Sequence, residues 1–172
     1  MNKYKILFID MDDTLIRTRS GRKLSKGIWD MEIRMDTLNA IRKLAPSYVL
    51  IVTNQGGIEK KIVREDSIIA KMSYLATCIR DYCKSVKAAS FAYCKTMNPE
   101  DPFRKPNAGS LEKGLLSINE VYEGAEKSDC LMVGDASGLP GNWSDNDKKC
   151  AENFGCDYLD IDEFLRIYGA SK

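Results

Sequence analysis

Short apolar runs punctuate the chain, and most of them end in a polar residue. Residues 4–9 read as a buried strand that stops at Asp10. Residues 48–52, β-branched and apolar, form a second that stops at Thr53, and residues 130–133 another that runs into Gly134-Asp135. Residues 88–93 and 156–159 are weaker candidates, the latter short and at an edge. Between them apolar residues recur at helical spacing over 35–44, 62–83, 110–121, 147–154 and 162–168. Strands of this length alternating with helices predict an α/β fold: a Rossmann-like, three-layer α/β/α arrangement around a mostly parallel sheet. No internal repeat or linker divides the chain, so residues 1–172 are expected to form one domain.

The polar residues that end these strands carry the information. Asp10, Thr53 and Asp135 stand at or just past predicted carboxyl ends, and in an open parallel sheet those ends share one edge, where ligands bind. Three segments distant in sequence therefore converge on one place.

Composition narrows the chemistry further. The 172 residues contain no histidine, which removes Ser-His-Asp and Cys-His triads, His-ligated zinc and imidazole bases. Catalysis must then use carboxylates, lysine, hydroxyls or a metal held by oxygen. The six cysteines form no C-x-x-C pair and are expected to be reduced thiols. No segment approaches the ~18 uninterrupted apolar residues of a membrane helix, and the first residues do not resemble a signal peptide, so a cytoplasmic location is expected, with no membrane contact. The net charge is only +1, yet Arg17, Arg19, Arg22, Lys23 and Lys26 crowd into one short stretch.

Four segments hold candidate chemistry. Asp10 and Asp12 place two carboxylates together. A cation such as Mg²⁺ relieves their repulsion, and one can attack phosphorus while the other protonates the leaving oxygen. Thr53, with Asn54, Gln55 and the glycines after it, offers a hydroxyl and backbone N–H groups to a phosphate. Lys105, after Arg104 and before Pro106, can offset phosphate and carboxylate charge. Asp135 can complete an octahedron of oxygen ligands, with Asp147 beyond it. Each has a plainer alternative when read alone: a solvated acidic turn, a strand-to-helix turn, an exposed loop lysine, and for Asp147 a helix N-cap.

Order and spacing together resemble the four signature motifs of the haloacid dehalogenase superfamily of phosphohydrolases. The resemblance implies a haloacid dehalogenase-like fold with a small flap after the first strand. It makes Asp10 the nucleophile, Asp12 the general acid and base, and Thr53 and Lys105 the holders of the phosphoryl group. It also implies a Mg²⁺ site built from Asp10, the main-chain carbonyl of Asp12, and Asp135, with Asp147 steadying Lys105 or a metal-bound water. Asp13 stands where glycine is frequent in the superfamily.

A narrower resemblance, over most of the chain, is to the 3′-phosphatase domain of polynucleotide kinase/phosphatases. It rests on residues 12–21, Trp29-Asp30, residues 53–58, Arg104-Lys105-Pro106 with Gly109, residues 133–138 with Asn142-Trp143, and residues 147–155. The G-x-x-x-x-G-K-[ST] loop of a kinase half is missing.

Residues 14–29 leave room for a flap but not for a large cap domain, so the end of a polymer could reach the site. Arg17, Thr18, Arg19, Ser20 and Arg22, with Arg104, are the candidate substrate-binding residues, their charges suited to backbone phosphates. Trp29 and Trp143 are candidates for stacking on a base or for the core. The expected activity is removal of 3′-phosphate from DNA ends. One alternative is a small-molecule phosphatase like those acting on histidinol phosphate or heptose bisphosphate. Those relatives usually carry a Cys/His zinc loop, whereas residues 93–103 hold only Cys94. A non-catalytic nucleic-acid-binding module is the alternative from another class. Nothing in the sequence speaks to a separate kinase or ligase partner, or to oligomeric state.

Overall fold

A computed structural model of the chain describes residues 3–22, 24–142 and 144–169. Its elements are β1 (Ile6–Ile9), β2 (Ile16–Thr18), β3 (Met31–Ile33), α1 (Met35–Leu44), β4 (Tyr48–Asn54), α2 (Glu65–Tyr82), β5 (Ala88–Cys94), α3 (Gly109–Asn119), β6 (Cys130–Gly134), α4 (Asn146–Phe154), β7 (Asp157–Asp160) and α5 (Ile161–Phe164). A single π turn, Leu165–Gly169, follows α5.

Five strands form one parallel sheet in the order β5-β4-β1-β6-β7. β1 lies at the centre, and all four of its residues are buried because both faces of the sheet are covered. Alternation along the strands divides the core. Leu7, Ile9, Val49, Ile51, Leu131 and Val133 pack with side chains of α1, α2 and α5, whereas Ile6, Phe8, Leu50, Val52 and Met132 pack with Leu111 of α3 and Cys150, Ala151 and Phe154 of α4. This is the three-layer α/β/α arrangement that the sequence predicts. α4 stops at Gly155, whose φ of 89° is the left-handed conformation that closes many helices. All six cysteines are free. No helix among the described residues is long and apolar enough to cross a membrane.

The expected elements are all present, with three adjustments. β4 runs on through Thr53 and Asn54, which pair with Tyr93 and Cys94 of β5. α2 starts at Glu65, because Ile62 and Val63 are turned back to donate to the Gly57 carbonyl. The flap contains an antiparallel hairpin, β2 with β3, in which Thr18 lies opposite Met31. β1 has β4 on one side and β6 on the other, and their carboxyl ends open the crevice that holds the candidate site.

Candidate active site

Asp10 follows β1 directly, and its backbone N–H is fixed by the Val133 carbonyl at 2.9 Å. The loop after it is tightly held. Leu15 and Ile16 both donate to the Met11 carbonyl, Arg34 Nη1 donates to the Asp13 carbonyl at 2.8 Å, and Thr37 donates to the Thr14 carbonyl at 2.9 Å. Asp13 has a φ of 57°, in the left-handed region that glycine, asparagine and aspartate tolerate best.

Lys105 is brought up from the loop before α3 and is 3% exposed. Its Nζ lies 2.6 Å from Asp10 Oδ1, 2.6 Å from Asp147 Oδ1 and 2.9 Å from the Val52 carbonyl oxygen. Asp147, in the first turn of α4, has its other oxygen occupied by the Ala136 N–H at 3.1 Å. The helix-cap alternative for Asp147 is thereby excluded: its carboxylate points into the sheet, onto the lysine. Asp135 is half-buried beyond β6, and Thr14 Oγ1 approaches it at 3.5 Å.

The Thr53-Asn54-Gln55 segment is arranged differently from the expectation that its side chains face phosphate. Asn54 clamps the lysine loop, donating to the Lys105 carbonyl at 2.8 Å and accepting from the Lys105 N–H at 3.0 Å. Gln55 Nε2 donates both to Asp12 Oδ2 at 2.8 Å and to Thr53 Oγ1 at 2.9 Å. Both side chains are engaged in placing other groups; Thr53, Asn54 and Lys105 nevertheless line the cavity described below, whereas Gln55 does not.

Electrostatics follow from burial. Asp10 is pushed well above the ordinary carboxylate range by desolvation, opposed chiefly by Lys105. Asp12 is raised by desolvation and pulled back by Lys71 and the Gln55 hydrogen bond. Asp135 is pushed up to about 6 by burial, with Asp147 adding to the shift. For Lys105 burial acts to lower the pKa, but Asp10 and Asp147 overcome it and hold the ammonium above its ordinary range. Carboxylate oxygens of Asp10, Asp135 and Asp147 lie within 4.8 Å of one another. Crowded hard oxygen donors of this kind fit Mg²⁺. Asp147 is already satisfied by Lys105 and Ala136, which leaves Asp10 and Asp135 as the carboxylates free to coordinate.

These groups line a cavity of about 210 Å³ that also includes Leu24 of the flap. A larger apolar groove, about 530 Å³, lies over β4, β5 and α3, and its only charged lining residue is Lys113. Arg17, Arg19 and Arg22 are exposed on the flap and do not line the smaller cavity. Thr18 donates to the Arg22 carbonyl, and Ser20 is held by buried Asp30 through its N–H and hydroxyl. Arg104 braces its own loop by donating to the Thr96 carbonyl at 2.8 Å. Trp29 is 67% exposed, so it is not a core residue. Lys23 and Trp143 lie outside the described residues.

Two residues near this site escaped the sequence reading. Arg34 holds the Asp13 carbonyl, and Lys71, 1% exposed on α2, lies close enough to influence Asp12.

Two solved structures share the whole architecture. A chain from Mesorhizobium loti described as a HAD-like phosphatase aligns with a TM-score of 0.62 at 18% identity, covering 100% of this chain and 90% of that one. D,D-heptose 1,7-bisphosphate phosphatase of B. bronchiseptica, crystallised with magnesium and phosphate, aligns with a TM-score of 0.59 at 18% identity, over 95% and 97% of the two chains. The fold is that of the haloacid dehalogenase-like phosphatases. A family model described as polynucleotide kinase 3 phosphatase matches residues 5–165, and the chain belongs to that family of phosphatases. Among curated proteins, the bifunctional polynucleotide phosphatase/kinase of Schizosaccharomyces pombe is 30% identical over 166 residues, 94% of this chain and 37% of that protein. The chain thus spans little more than a third of that relative. D-glycero-D-manno-heptose-1,7-bisphosphate 7-phosphatase of Chlorobaculum tepidum is 26% identical over 141 residues, 78% and 71% of the two chains.

Proposed function

We propose that this chain is a Mg²⁺-dependent phosphatase that removes 3′-phosphate from DNA ends through an aspartyl-phosphate at Asp10. The carrying observation is the pairing of two differently held carboxylates: Asp10 against Lys105, and Asp12 against Gln55. Lys105 opposes the upward push that burial gives Asp10 and so favours the ionised form that a nucleophile requires. Burial raises Asp12, which favours the protonated form that can donate to a leaving oxygen.

In the proposed first step an Asp10 oxygen bonds to phosphorus, the ester P–O bond breaks, and the leaving oxygen takes the Asp12 proton. In the second, ionised Asp12 takes a proton from water, whose oxygen attacks the phosphorus. The bond between phosphorus and the Asp10 oxygen breaks, inorganic phosphate departs and the Asp10 carboxylate is regenerated. Lys105 and the Thr53 hydroxyl hold the phosphoryl oxygens throughout. Asp10, the Asp12 main-chain carbonyl and Asp135 would hold Mg²⁺, which neutralises charge on the carboxylates and the transferring phosphoryl group.

Family membership and the basic, uncapped flap support a polynucleotide end as substrate. The test is phosphate release, with Mg²⁺, from a 3′-phosphorylated oligonucleotide beside a 5′-phosphorylated control and a panel of sugar phosphates. A strong preference for the 3′-phosphorylated end is expected. Faster turnover of a sugar phosphate would move the chain to the metabolite phosphatases and leave the Asp10 chemistry in place.

A further inference from the structure

Lys71, 1% exposed, lies on the face of α2 that also buries Ile68, Met72 and Leu75. A buried ammonium is costly to desolvate, and its one hydrogen bond among the described residues runs to the Ser25 carbonyl at 2.8 Å. Burial lowers its pKa, with Asp12 and Asp30 opposing. One turn earlier on α2, Ser67 Oγ donates to the next carbonyl, that of Lys26, at 3.0 Å. Two helix side chains therefore grip consecutive carbonyls of the flap's return segment. Ser25 itself is 1% exposed, and Leu24 beside it lines the catalytic cavity.

We infer that Lys71 is a positioning residue for substrate: through Ser25 it pins the flap to α2 and sets where Leu24 walls the cavity beside Asp12. The proposal deepens the phosphatase reading above and rests on it. A fixed apolar wall next to the phosphate site would meet the sugar of a terminal nucleotide, whereas a small aryl phosphate would make less use of it. Lysine is suited to this place because its stem packs in the core while its head reaches a backbone oxygen.

The test compares wild type with Lys71→Met, Lys71→Arg and Ser67→Ala by hydrogen exchange over residues 24–29 and by steady-state kinetics. Loss of the Lys71 hydrogen bond should speed exchange in the flap roughly tenfold while β1 and β4 stay protected. In Lys71→Met, kcat/KM for a 3′-phosphorylated oligonucleotide should fall about tenfold further than for p-nitrophenyl phosphate, largely through KM. Lys71→Arg should recover much of both effects. Ser67→Ala, a half-buried position that tolerates the change, should loosen the flap in the same direction and keeps the test alive if Lys71→Met does not fold. Flap exchange unchanged in the variants would overturn the inference. So would equal losses on both substrates, which would assign Lys71 to the charge of Asp12 instead. If wild type ignores the oligonucleotide, the substrate reading falls, and the exchange data still decide whether the tether exists.

Discussion

Gly134 offers the sharpest test of how the site is held. It ends β6 directly beneath Asp147, and a Cβ added there would stand 2.1 Å from Asp147 Oδ2 and 2.5 Å from its Cγ. Asp147 cannot simply rotate away. It is 2% exposed, bound to Lys105 at 2.6 Å and to the Ala136 N–H at 3.1 Å, and it belongs to a helix packed on the sheet. Gly134→Ala must therefore push α4 outward or turn the carboxylate off Lys105. Overpacking of this kind costs about 1–3 kcal/mol. Losing a hydrogen bond to a charged group adds about 1.5–3 kcal/mol. A total of roughly 3–5 kcal/mol lowers Tm by about 6–20 °C in a domain of this size. A displacement of Lys105 Nζ by about 1 Å would also reduce kcat by about 100-fold. Calorimetry and p-nitrophenyl phosphate hydrolysis measure the two effects. The same substitution in an Asp147→Ala background should be milder, because the clashing oxygens are gone. A Gly134→Ala protein with wild-type Tm and kcat would refute the reasoning, as would equal losses in both backgrounds.

The other predictions concern charge and hydrogen bonding. Asp10→Asn should abolish turnover while the circular dichroism spectrum is kept, because an amide is no nucleophile; measurable turnover by this variant would rule out the aspartyl-phosphate. Gln55→Leu removes a hydrogen bond that stabilises ionised Asp12, so the alkaline limb of the kcat/KM profile, where the Asp12 proton is lost, should move to higher pH, and kcat should drop about tenfold. In EDTA, folded Asp135 keeps its proton up to about pH 6 whereas the unfolded group releases it near 3.8, so stability should fall as pH rises between those values. After discounting for its solvent-open part, that loss is about 1–2 kcal/mol, and urea midpoints should show Mg²⁺ reversing it. Arg19→Ala with Arg22→Ala should raise KM for oligonucleotides and flatten its salt dependence, with little change for p-nitrophenyl phosphate; equal effects on both substrates would remove the flap from polymer binding.

The strands and long helices were legible because burial on both faces leaves uninterrupted apolar runs, as in β1, and helical periodicity, as in α1. The hairpin was not. β2 and β3 have three residues each, too few for alternation to register, and their pairing depends on contacts made across the flap. Asp10, Thr53, Asp135 and Asp147 were legible as candidates because each sits near the place where a strand stops or a helix starts, and Lys105 because it stands in the loop just before α3. The duties of Asn54 and Gln55 were not, since a polar side chain after a strand can face a ligand or a neighbour, and only tertiary structure brings Lys105 and Asp12 beside them. Lys71 left a usable signal: it occupies a core-facing position of α2, three residues after Ile68 and four before Leu75. A lysine in an apolar stripe marks either a broken pattern or a buried ammonium with something to hold.

The charges of the site bear on why Lys105 is held twice. Asp10, Asp12, Asp13, Asp135 and Asp147 supply five potential negative charges to one small cavity, and Lys105 is the only cation that lines it among the described residues. A phosphate monoester would bring more negative charge to the same place. Lysine alone cannot balance that, and Asp10 and Asp135 are both shifted upward by burial and by neighbouring carboxylates. Under the proposed function, a divalent cation at Asp10 and Asp135 would change the sign of the problem, since the cavity could then hold an anion without protonating the proposed nucleophile. The Lys105 ion pairs are poor evidence of stability, because burying an ammonium offsets much of what its partners return. Their effect is placement. With Asp147 on one side and Asp10 on the other, Nζ is held at a fixed place, where the proposed mechanism would have it meet the incoming phosphate beside the nucleophile.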